Sequence, residues 1–336
     1  MTLIMVGFSL LKTRKWNHID LYVQNVYSRK DATCMDEFFP GRWTNTSHRN
    51  LNYSTNYSTN PPSVIVMLVD NKRLLEFLPN LCLLFEHFNN QFLYPIVLFH
   101  FGDLDAAEVY RELAANYFSP QQMGLIEILQ AEYATQFPDG FDGSKERASR
   151  ENFPDLFRYP NYHHMCAFWF RIVFLQSYFE RRNIEYFLRF DTDSTIESPI
   201  QYDLFKFMKR NNLAYAYRVV MPESPCCVKN LSLALQKYVQ MENISRWNIL
   251  SRLDLNSEDM LQYYNNMEIV HISSFRDDPR VWHWINYIWA TGGIYQHRYL
   301  TVLSMPLDEI LWCYLLVTIS GKHRGADTAE LAKLEL

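Results

Sequence analysis

Short apolar runs that alternate with helix-like segments are the feature that most restricts the fold of this chain. Predicted strands cover residues 63–69 (SVIVMLV), 95–101 (PIVLFHF), 125–129 and 184–190. Runs of this kind are typical of strands that are buried on both faces. The segments between the first three, residues 70–88 and 104–117, have apolar residues at helical spacing. The alternation predicts an α/β fold with a largely parallel central sheet flanked by helices.

The same pattern continues towards the C-terminus. We predict one long aromatic helix over 162–181, strands over 213–220 and 267–272, and helices over 202–209, 231–241, 277–290 and 306–319. The pair Gly292-Gly293 follows the Trp-rich helix and is a natural helix stop. Residues 136–159 are polar and contain Gly and Pro, so we predict a long loop there. The expected organisation is an N-terminal stem or surface wrap over 1–62, one domain over 63–320 and a tail over 321–336.

Composition narrows the class of protein. The chain is 48% hydrophobic and 21% charged, as globular proteins are. Its net charge of −5, without a Lys/Arg run, argues against a nucleic-acid partner. Its six cysteines show no CxxC spacing, which disfavours a zinc site of the common type. The aromatic fraction of 16% suits a sugar-binding cleft, and it equally suits an aromatic core.

Five Asn-X-Ser/Thr sequons point to a lumenal or secreted location. They begin at Asn45, Asn52, Asn56, Asn230 and Asn243, and the first three cluster in a predicted loop. Residues 3–11 are apolar but have only about half the length of a membrane-spanning helix. Basic residues follow this segment instead of preceding it, so it is a poor signal peptide. It is either part of an incomplete membrane anchor or a first buried segment.

The central clue to chemistry is Asp191-Thr192-Asp193, which directly follows the predicted strand 184–190. Side chains at positions i and i+2 of an extended segment point the same way, so two carboxylates can share a divalent cation. Ligands of open α/β sheets bind beyond the carboxyl ends of the strands, where this pair lies. A cation there would neutralise a diphosphate leaving group. The alternative is an ordinary turn made by two aspartates.

Several segments resemble, in order and spacing, the fungal α-1,2-mannosyltransferases of glycosyltransferase family 15, which use GDP-mannose. The matching segments are 63–71 (SVIVMLVDN), 88–92 (FNNQF), 162–168 (YHHMCAF for YRxMCRF), 186–193 (YFLRFDTD for YYWRVEPD), 205–212 (FKFM and NN for FRFMEDNN), 266–269 (NMEI for NFEI) and 292–295 (GGIY for GGFY). The resemblance implies a GT-A-like nucleotide-sugar-binding fold, a divalent cation such as manganese, and retention of anomeric configuration. It also implies a glycan or glycoprotein acceptor and a type II membrane protein of the Golgi lumen.

The resemblance also assigns roles to residues. Asp191 and Asp193 would contact metal and diphosphate, and Glu268, a carboxylate at the end of an apolar strand, matches the candidate nucleophile of the family. Arg189 matches a family arginine that would either hold the carboxylates or approach phosphate. Tyr162 and Tyr217 match positions that suit a cleft. The ordinary alternatives are a strand-edge carboxylate, a structural ion pair and core tyrosines.

The chain departs from the family pattern at the histidine that completes the metal site. Alignment on Pro306 places Asp308 at that position, and His297 is a second candidate. The last residues, 320–336, do not resemble the family. Two alternatives to an active transferase therefore stay open. One is a catalytically inactive relative that binds sugar or partner proteins in the secretory pathway, and the other is an unrelated α/β protein.

Overall fold

The computed structural model describes residues 60–71, 74–152, 161–218, 220–222, 227, 230–242, 261–263, 265–297 and 332–333. Asp308, the apolar segment 3–11 and the predicted helix 306–319 lie outside these residues, and so does the predicted domain boundary at residues 320–321. Within the described part of the chain, no helix is both long and apolar enough to cross a membrane.

The described strands form two sheets, and the larger one is mixed but mainly parallel. They are β1 Ser63–Leu68, β2 Ile96–His100, β3 Ile126–Gln130, β4 Tyr186–Phe190, β5 Tyr215–Tyr217, β6 Val220–Pro222, β7 Leu261–Tyr263, β8 Met267–His271 and β9 Ala332–Lys333. The central sheet has the order β3-β2-β1-β4-β8-β5-β9, and β6 and β7 form a separate two-stranded sheet. Strands β1 to β4 are mutually parallel where they pair, and β8 runs antiparallel to both of its neighbours. The predicted α/β architecture is confirmed, with one reversed strand in its middle.

The reversed strand brings residues that are distant in sequence to one edge of the sheet. In the β4–β8 register Phe190 pairs with Met267 and Arg189 pairs with Glu268. Glu268 is therefore the second residue of β8, and the prediction that it ends its strand is wrong. Because β8 is antiparallel, its beginning lies beside the carboxyl end of β4, where ligands of open α/β sheets bind.

The helices cover both faces of the sheet. They are α1 Leu74–Leu84, α2 Ala106–Asn116, α3 Pro120–Met123, α4 Gly143–Asn152, α5 Tyr162–Phe170, α6 Ser177–Arg181, α7 Leu204–Arg210, α8 Leu231–Met241, α9 Ile272–Arg276, α10 Pro279–Thr291 and α11 Gly293–His297. A π-helical turn, Phe85–Asn89, extends α1 to Phe92, beyond its predicted end. Aspartate side chains that accept backbone N–H groups cap α2, α7 and α10 (Asp105, Asp203 and Asp278).

Two predicted elements differ because a polar side chain decides the local structure. The predicted helix 162–181 is broken into α5, a 3-10 turn at Ile172–Leu175 and α6. Gln176 has extended backbone, and its amide side chain bonds the backbone N and O of Glu132 at 2.9 and 3.0 Å. The predicted loop 136–159 contains α4, which buries Glu146 and Ser149. A helix that buries polar residues has no apolar periodicity by which it could be found.

The predicted strand 213–220 is also divided. Its first part is β5, which pairs with β8 and β9, whereas Val220 begins β6 and pairs with Tyr263 in the small sheet. Tyr217 is therefore the last residue of the central-sheet strand.

The core has two parts, one on each side of the sheet. On β1, Val64 and Val66 contribute to the first part, and Ile65 and Met67 contribute to the second. All four side chains are fully buried, which confirms the prediction of strands covered on both faces. Alternate residues of β4 divide in the same way, and this places Arg189 on the face that α5 and α10 cover, together with Phe187.

Gly292 supplies the backbone conformation that ends α10. Its φ is +68°, and an added Cβ would lie 2.5 Å from Cε2 of Phe141. Phe141 packs on Phe137 and Tyr295 at ring-centroid distances of 5.4 Å each, so it has little room to move away. We expect Gly292→Ala to destabilise the protein by about 2–4 kcal/mol, from left-handed strain plus overpacking.

Gly140→Ala is the matched control for this prediction. Its φ of +72° carries the same strain, but nothing lies within 4 Å of its added Cβ. We expect only the strain cost of about 1–2 kcal/mol there. Equal losses in urea unfolding would contradict the role assigned to the contact with Phe141.

Candidate active site

An acidic turn follows β4 at the carboxyl edge of the sheet. The amide of Ser194 donates to the carbonyl of Asp191 at 2.9 Å, which closes a turn over residues 191–194. The amide of Asp191 in turn donates to the carbonyl of Asn266 at 2.9 Å. The extended geometry predicted for Asp191 and Asp193 is therefore wrong, because the chain bends as soon as it leaves β4. Asn266, just before β8, holds the bend in place.

Arg189 locks the first aspartate of the turn. Its Nε and Nη2 atoms donate to the two carboxylate oxygens of Asp191, each at 2.8 Å, which is the fork-like pairing that guanidinium and carboxylate favour. Its guanidinium carbon lies 4.4 Å from the ring centroid of Trp169, so the charge also stacks on an aromatic face. Arg189 is only 1% exposed. Of its two predicted roles, this geometry supports the holding of carboxylates and not contact with phosphate.

Glu268 also contacts Arg189. One of its oxygens is 3.4 Å from Nη1 of Arg189, and the hydroxyl of Tyr215 donates to the other. Burial raises the pKa of Glu268, and Arg189 and the Tyr215 hydrogen bond oppose that rise. Both carboxylate oxygens are thus engaged within the protein.

The network keeps Arg189 charged. Burial by itself would lower the pKa of Arg189, but the charges of Asp191 and Glu268 outweigh burial and raise it above its ordinary value. A permanent buried cation between two carboxylates fixes the positions of both. Arg189 thus holds the carboxylates of Asp191 and Glu268 in fixed positions.

Asp193, the second aspartate of the turn, is exposed to solvent. The side-chain amide nitrogen of Asn266 lies 3.4 Å from the Oδ1 atom of Asp193. An exposed carboxylate at this edge is a hard oxygen donor of the kind that manganese and magnesium prefer. Among the described residues, no group of three or more His, Cys, Asp or Glu side chains could hold a metal ion. His297 therefore belongs to no such group within the described part of the chain. Magnesium-type sites commonly use one or two carboxylates with substrate phosphates, so the exposed carboxylate of Asp193 fits such a cation.

The helix α1 supports the turn from the other side. The side-chain amide of Asn80 donates to the carbonyl of Thr192 and accepts from the hydroxyl of Thr195, both at 2.8 Å. The ring of His87 contacts the carbonyl of Ile196 at 2.5 Å. These contacts join the segment after the turn to a helix more than 100 residues earlier in the chain. Asn80 carries no sequence pattern that would have identified it.

The two predicted cleft tyrosines occupy different places. Tyr217 pairs with Glu268 in the β5–β8 register, is half-buried, and stacks on Tyr215 with a ring-centroid distance of 6.3 Å. Tyr162 begins α5, is half-buried, and lies seven residues before Trp169, which places the two on one face of the helix. Residues missed from the sequence are Tyr215, Trp169, Asn80 and Asn266. Tyr215 had a signal, since it lies two residues from Tyr217 on the same strand face. Asn266 also had one, since it begins the family-like segment 266–269.

For the transferase activity that the family resemblance implies, we expect Tyr215→Phe to lower kcat about tenfold to a hundredfold, with little change in KM for the donor. The hydroxyl fixes one oxygen of Glu268 and contributes about 1–3 kcal/mol as a bond to a buried charged group. Steady-state kinetics of transfer, with thermal unfolding in parallel, would measure this.

Tyr178→Phe provides the control for Tyr215→Phe. Its hydroxyl donates to Glu127 at 3.2 Å, on a different pair of elements. This change should leave kcat as it is. If both substitutions lowered kcat equally, the effect would be a general loss of stability and Tyr215 would have no special role.

The order of the strands and the acidic turn at the carboxyl edge of the sheet agree with the GT-A-like glycosyltransferase fold that the family resemblance implies. A family model described as glycolipid 2-alpha-mannosyltransferase matches residues 22–307. The chain belongs to this family of mannosyltransferases, as its resemblance to glycosyltransferase family 15 predicted.

Two similar proteins from Saccharomyces cerevisiae are also described as mannosyltransferases. A glycolipid 2-alpha-mannosyltransferase of Saccharomyces cerevisiae is 23% identical over 298 residues, which cover 83% of this chain and 64% of the relative. The probable mannosyltransferase KTR3 of the same organism is 28% identical over 143 residues, which cover 41% of this chain and 35% of the relative. The chain thus spans between about a third and two thirds of the length of these relatives.

Solved structures share the fold. The mannosyltransferase Ktr4p from S. cerevisiae in complex with GDP superposes with a TM-score of 0.61 at 18% identity, over 88% of this chain and 75% of the other. Core-mannan synthase A from Aspergillus fumigatus, in a Mn/GDP form, gives 0.59 at 18% identity, over 76% and 68%. The predicted GT-A-like fold is confirmed by these neighbours.

Proposed function

We propose that this protein is a retaining α-1,2-mannosyltransferase that moves mannose from GDP-mannose to a glycan of a glycoprotein. The observation that carries the proposal is the acidic turn after β4, held by Arg189 next to Glu268 at the carboxyl edge of the sheet. Family membership supports mannose as the sugar. The Mn/GDP and GDP forms of the two structural neighbours support a divalent cation and a guanosine diphosphate leaving group.

Within this proposal Asp193 is the main ligand for a manganese-class cation. The exposed position of its carboxylate lets a cation and a diphosphate reach it, whereas Asp191 is tied to Arg189 and supports the turn from behind. The bound cation would supply neutralisation of the diphosphate as its bond to the sugar breaks. Asp308 remains the proposed further ligand, by its match to the family position, and it lies outside the described residues.

Retention of configuration constrains the role of Glu268. Retention requires either a carboxylate that attacks the anomeric carbon, or a front-face route in which the leaving phosphate guides the acceptor. Attack would first require one oxygen of Glu268 to leave Arg189 or Tyr215. The observed contacts therefore favour the second route, with Glu268 as a fixed negative charge that stabilises the cationic sugar.

The proposed location is the Golgi lumen, with a membrane anchor at the N-terminal side as in a type II membrane protein. The five sequons support exposure of the chain to the lumen. Tyr162 and Tyr217 are proposed to line the cleft for nucleotide sugar or acceptor, since Tyr217 is level with Glu268 in the sheet.

The test is transfer by the purified protein. It is incubated with GDP-mannose, manganese and a mannoside acceptor, and NMR of the product reports the new linkage and its anomeric configuration. An α-linked product that requires manganese would support the proposal. Manganese-dependent GDP binding without transfer would favour the inactive relative, and the absence of both would overturn the enzyme interpretation.

A further inference from the structure

One sequon lies in the described part of the chain, at the start of α8. It consists of Asn230, Leu231 and Ser232. Asn230 is exposed, whereas Leu231 is fully buried and anchors the helix in the core. The acceptor side chain is thus held at the surface by its neighbour. This position is on a different element from the acidic turn and from Glu268.

The asparagine contributes little to the helix that it begins. Asn230 occupies the N-cap position of α8 with φ of +64°, and its side chain makes no capping hydrogen bond. Asparagine is a favoured capping residue, and it also tolerates left-handed backbone. Modification of its amide nitrogen would therefore break no capping bond and would not alter the backbone.

We propose that Asn230 carries an N-linked glycan. The donor is a lipid-linked oligosaccharyl diphosphate used by the oligosaccharyltransferase of the secretory pathway. The amide nitrogen of Asn230 forms a bond to the anomeric carbon and loses a proton to a base of that enzyme, and the lipid diphosphate departs with the electron pair of the broken C–O bond. The inference rests on passage of the chain through the lumen and does not depend on its own transferase activity.

A glycan at this position has a physical use. Leu233 lies one turn further along the outer face of α8 and is 47% exposed. A large exposed leucine next to the attachment point is apolar surface that a solvated glycan covers. The buried side of the helix, with Leu235 and Tyr238, faces the core and is unaffected.

The experiment is site-resolved occupancy. The full chain is secreted from a eukaryotic host behind an added signal peptide, so that protein recovered from the medium has passed through the lumen. Enzymatic removal of N-glycans in heavy-oxygen water converts each occupied asparagine to a labelled aspartate. Trypsin then cuts after Lys229 and Lys237 and isolates residues 230–237, which contain no other asparagine.

We expect labelled aspartate at position 230 in the wild type and in Ser232→Thr, which keeps the sequon. The label should be lost in Ser232→Ala, which destroys the sequon and leaves Asn230 in place. Transfer activity should be equal in all three proteins, so a failure of the proposed function is distinguished from a failure of this inference. Unlabelled asparagine at position 230 in secreted wild-type protein would overturn the proposal.

Discussion

Asp193→Ala is expected to abolish manganese-dependent GDP binding and to lower kcat about 100-fold to 1,000-fold, the usual effect of removing one preorganised electrostatic group. The reason is that Asp193 is the exposed carboxylate of the acidic turn, whereas Asp191 is occupied by Arg189. Stability should hardly change, since surface substitutions usually alter the free energy of unfolding by less than about 0.5 kcal/mol. Calorimetric titration with GDP and manganese, and the mannoside transfer assay, would measure the two losses.

Two further variants sharpen the test of Asp193. Asp191→Ala should lose activity and stability together, because it leaves buried Arg189 without its bidentate partner. Asp139→Ala removes another exposed carboxylate, from the loop before α4, and should change neither property. If Asp193→Ala kept manganese-dependent GDP binding, the assignment of the metal to this turn would be wrong.

Arg189→Met is expected to destabilise the protein by about 3–5 kcal/mol, the usual cost when one partner of a buried ion pair is removed. Methionine keeps an apolar stem against Trp169, but it leaves the carboxylates of Asp191 and Glu268 facing each other without a cation. Glu268 is only 7% exposed, so water cannot solvate its charge. Denaturant unfolding followed by tryptophan fluorescence would report the loss.

Arg182→Met is the matched control for Arg189→Met. Arg182 also pairs with a carboxylate, Glu127, at 2.6 Å and also lies over an aromatic ring, that of Tyr178, at 4.9 Å. Its side chain is 33% exposed, however, and exposed pairs contribute at most about 1 kcal/mol.

A second substitution tests the cause of the loss in Arg189→Met. Adding Glu268→Gln should restore part of the stability, because it removes one uncompensated charge. If the double variant were less stable than Arg189→Met, repulsion between the carboxylates would not be the cause.

Sequence patterns were most informative where apolar side chains make the element. The strands at β1, β2 and β4 were predicted to within one or two residues, since each is a continuous buried run. The helix α8 was predicted over the same residues, 231–241, because its buried positions follow helical spacing. Errors came where polar side chains decide the structure. The predicted helix 162–181 breaks at Arg171 and again at Gln176, whose side chain bonds Glu132. Helix α4 buries Glu146. Neither feature leaves an apolar periodic pattern.

In the candidate site, too, some features could be predicted from the sequence and others could not. Asp191, Asp193, Arg189 and Glu268 were found from the sequence, through the family segments around them. Their individual roles could not be predicted from the sequence, because each role depends on which atoms are in contact in the folded protein. Asp191 is bound by Arg189 and Asp193 is exposed, although the two aspartates are only two positions apart in the sequence.

The sequence by itself determined the α/β class, the family and the identity of the acidic residues, since each depends on local pattern and order along the chain. Only the tertiary structure decided that β8 is reversed, so that Glu268 comes to Arg189 across 79 residues of sequence. It also decided that Tyr215 and Trp169 complete the network. The physical reason is that a buried charge is satisfied by whichever partners the packed strands and helices bring within hydrogen-bonding distance, and no local spacing records that choice.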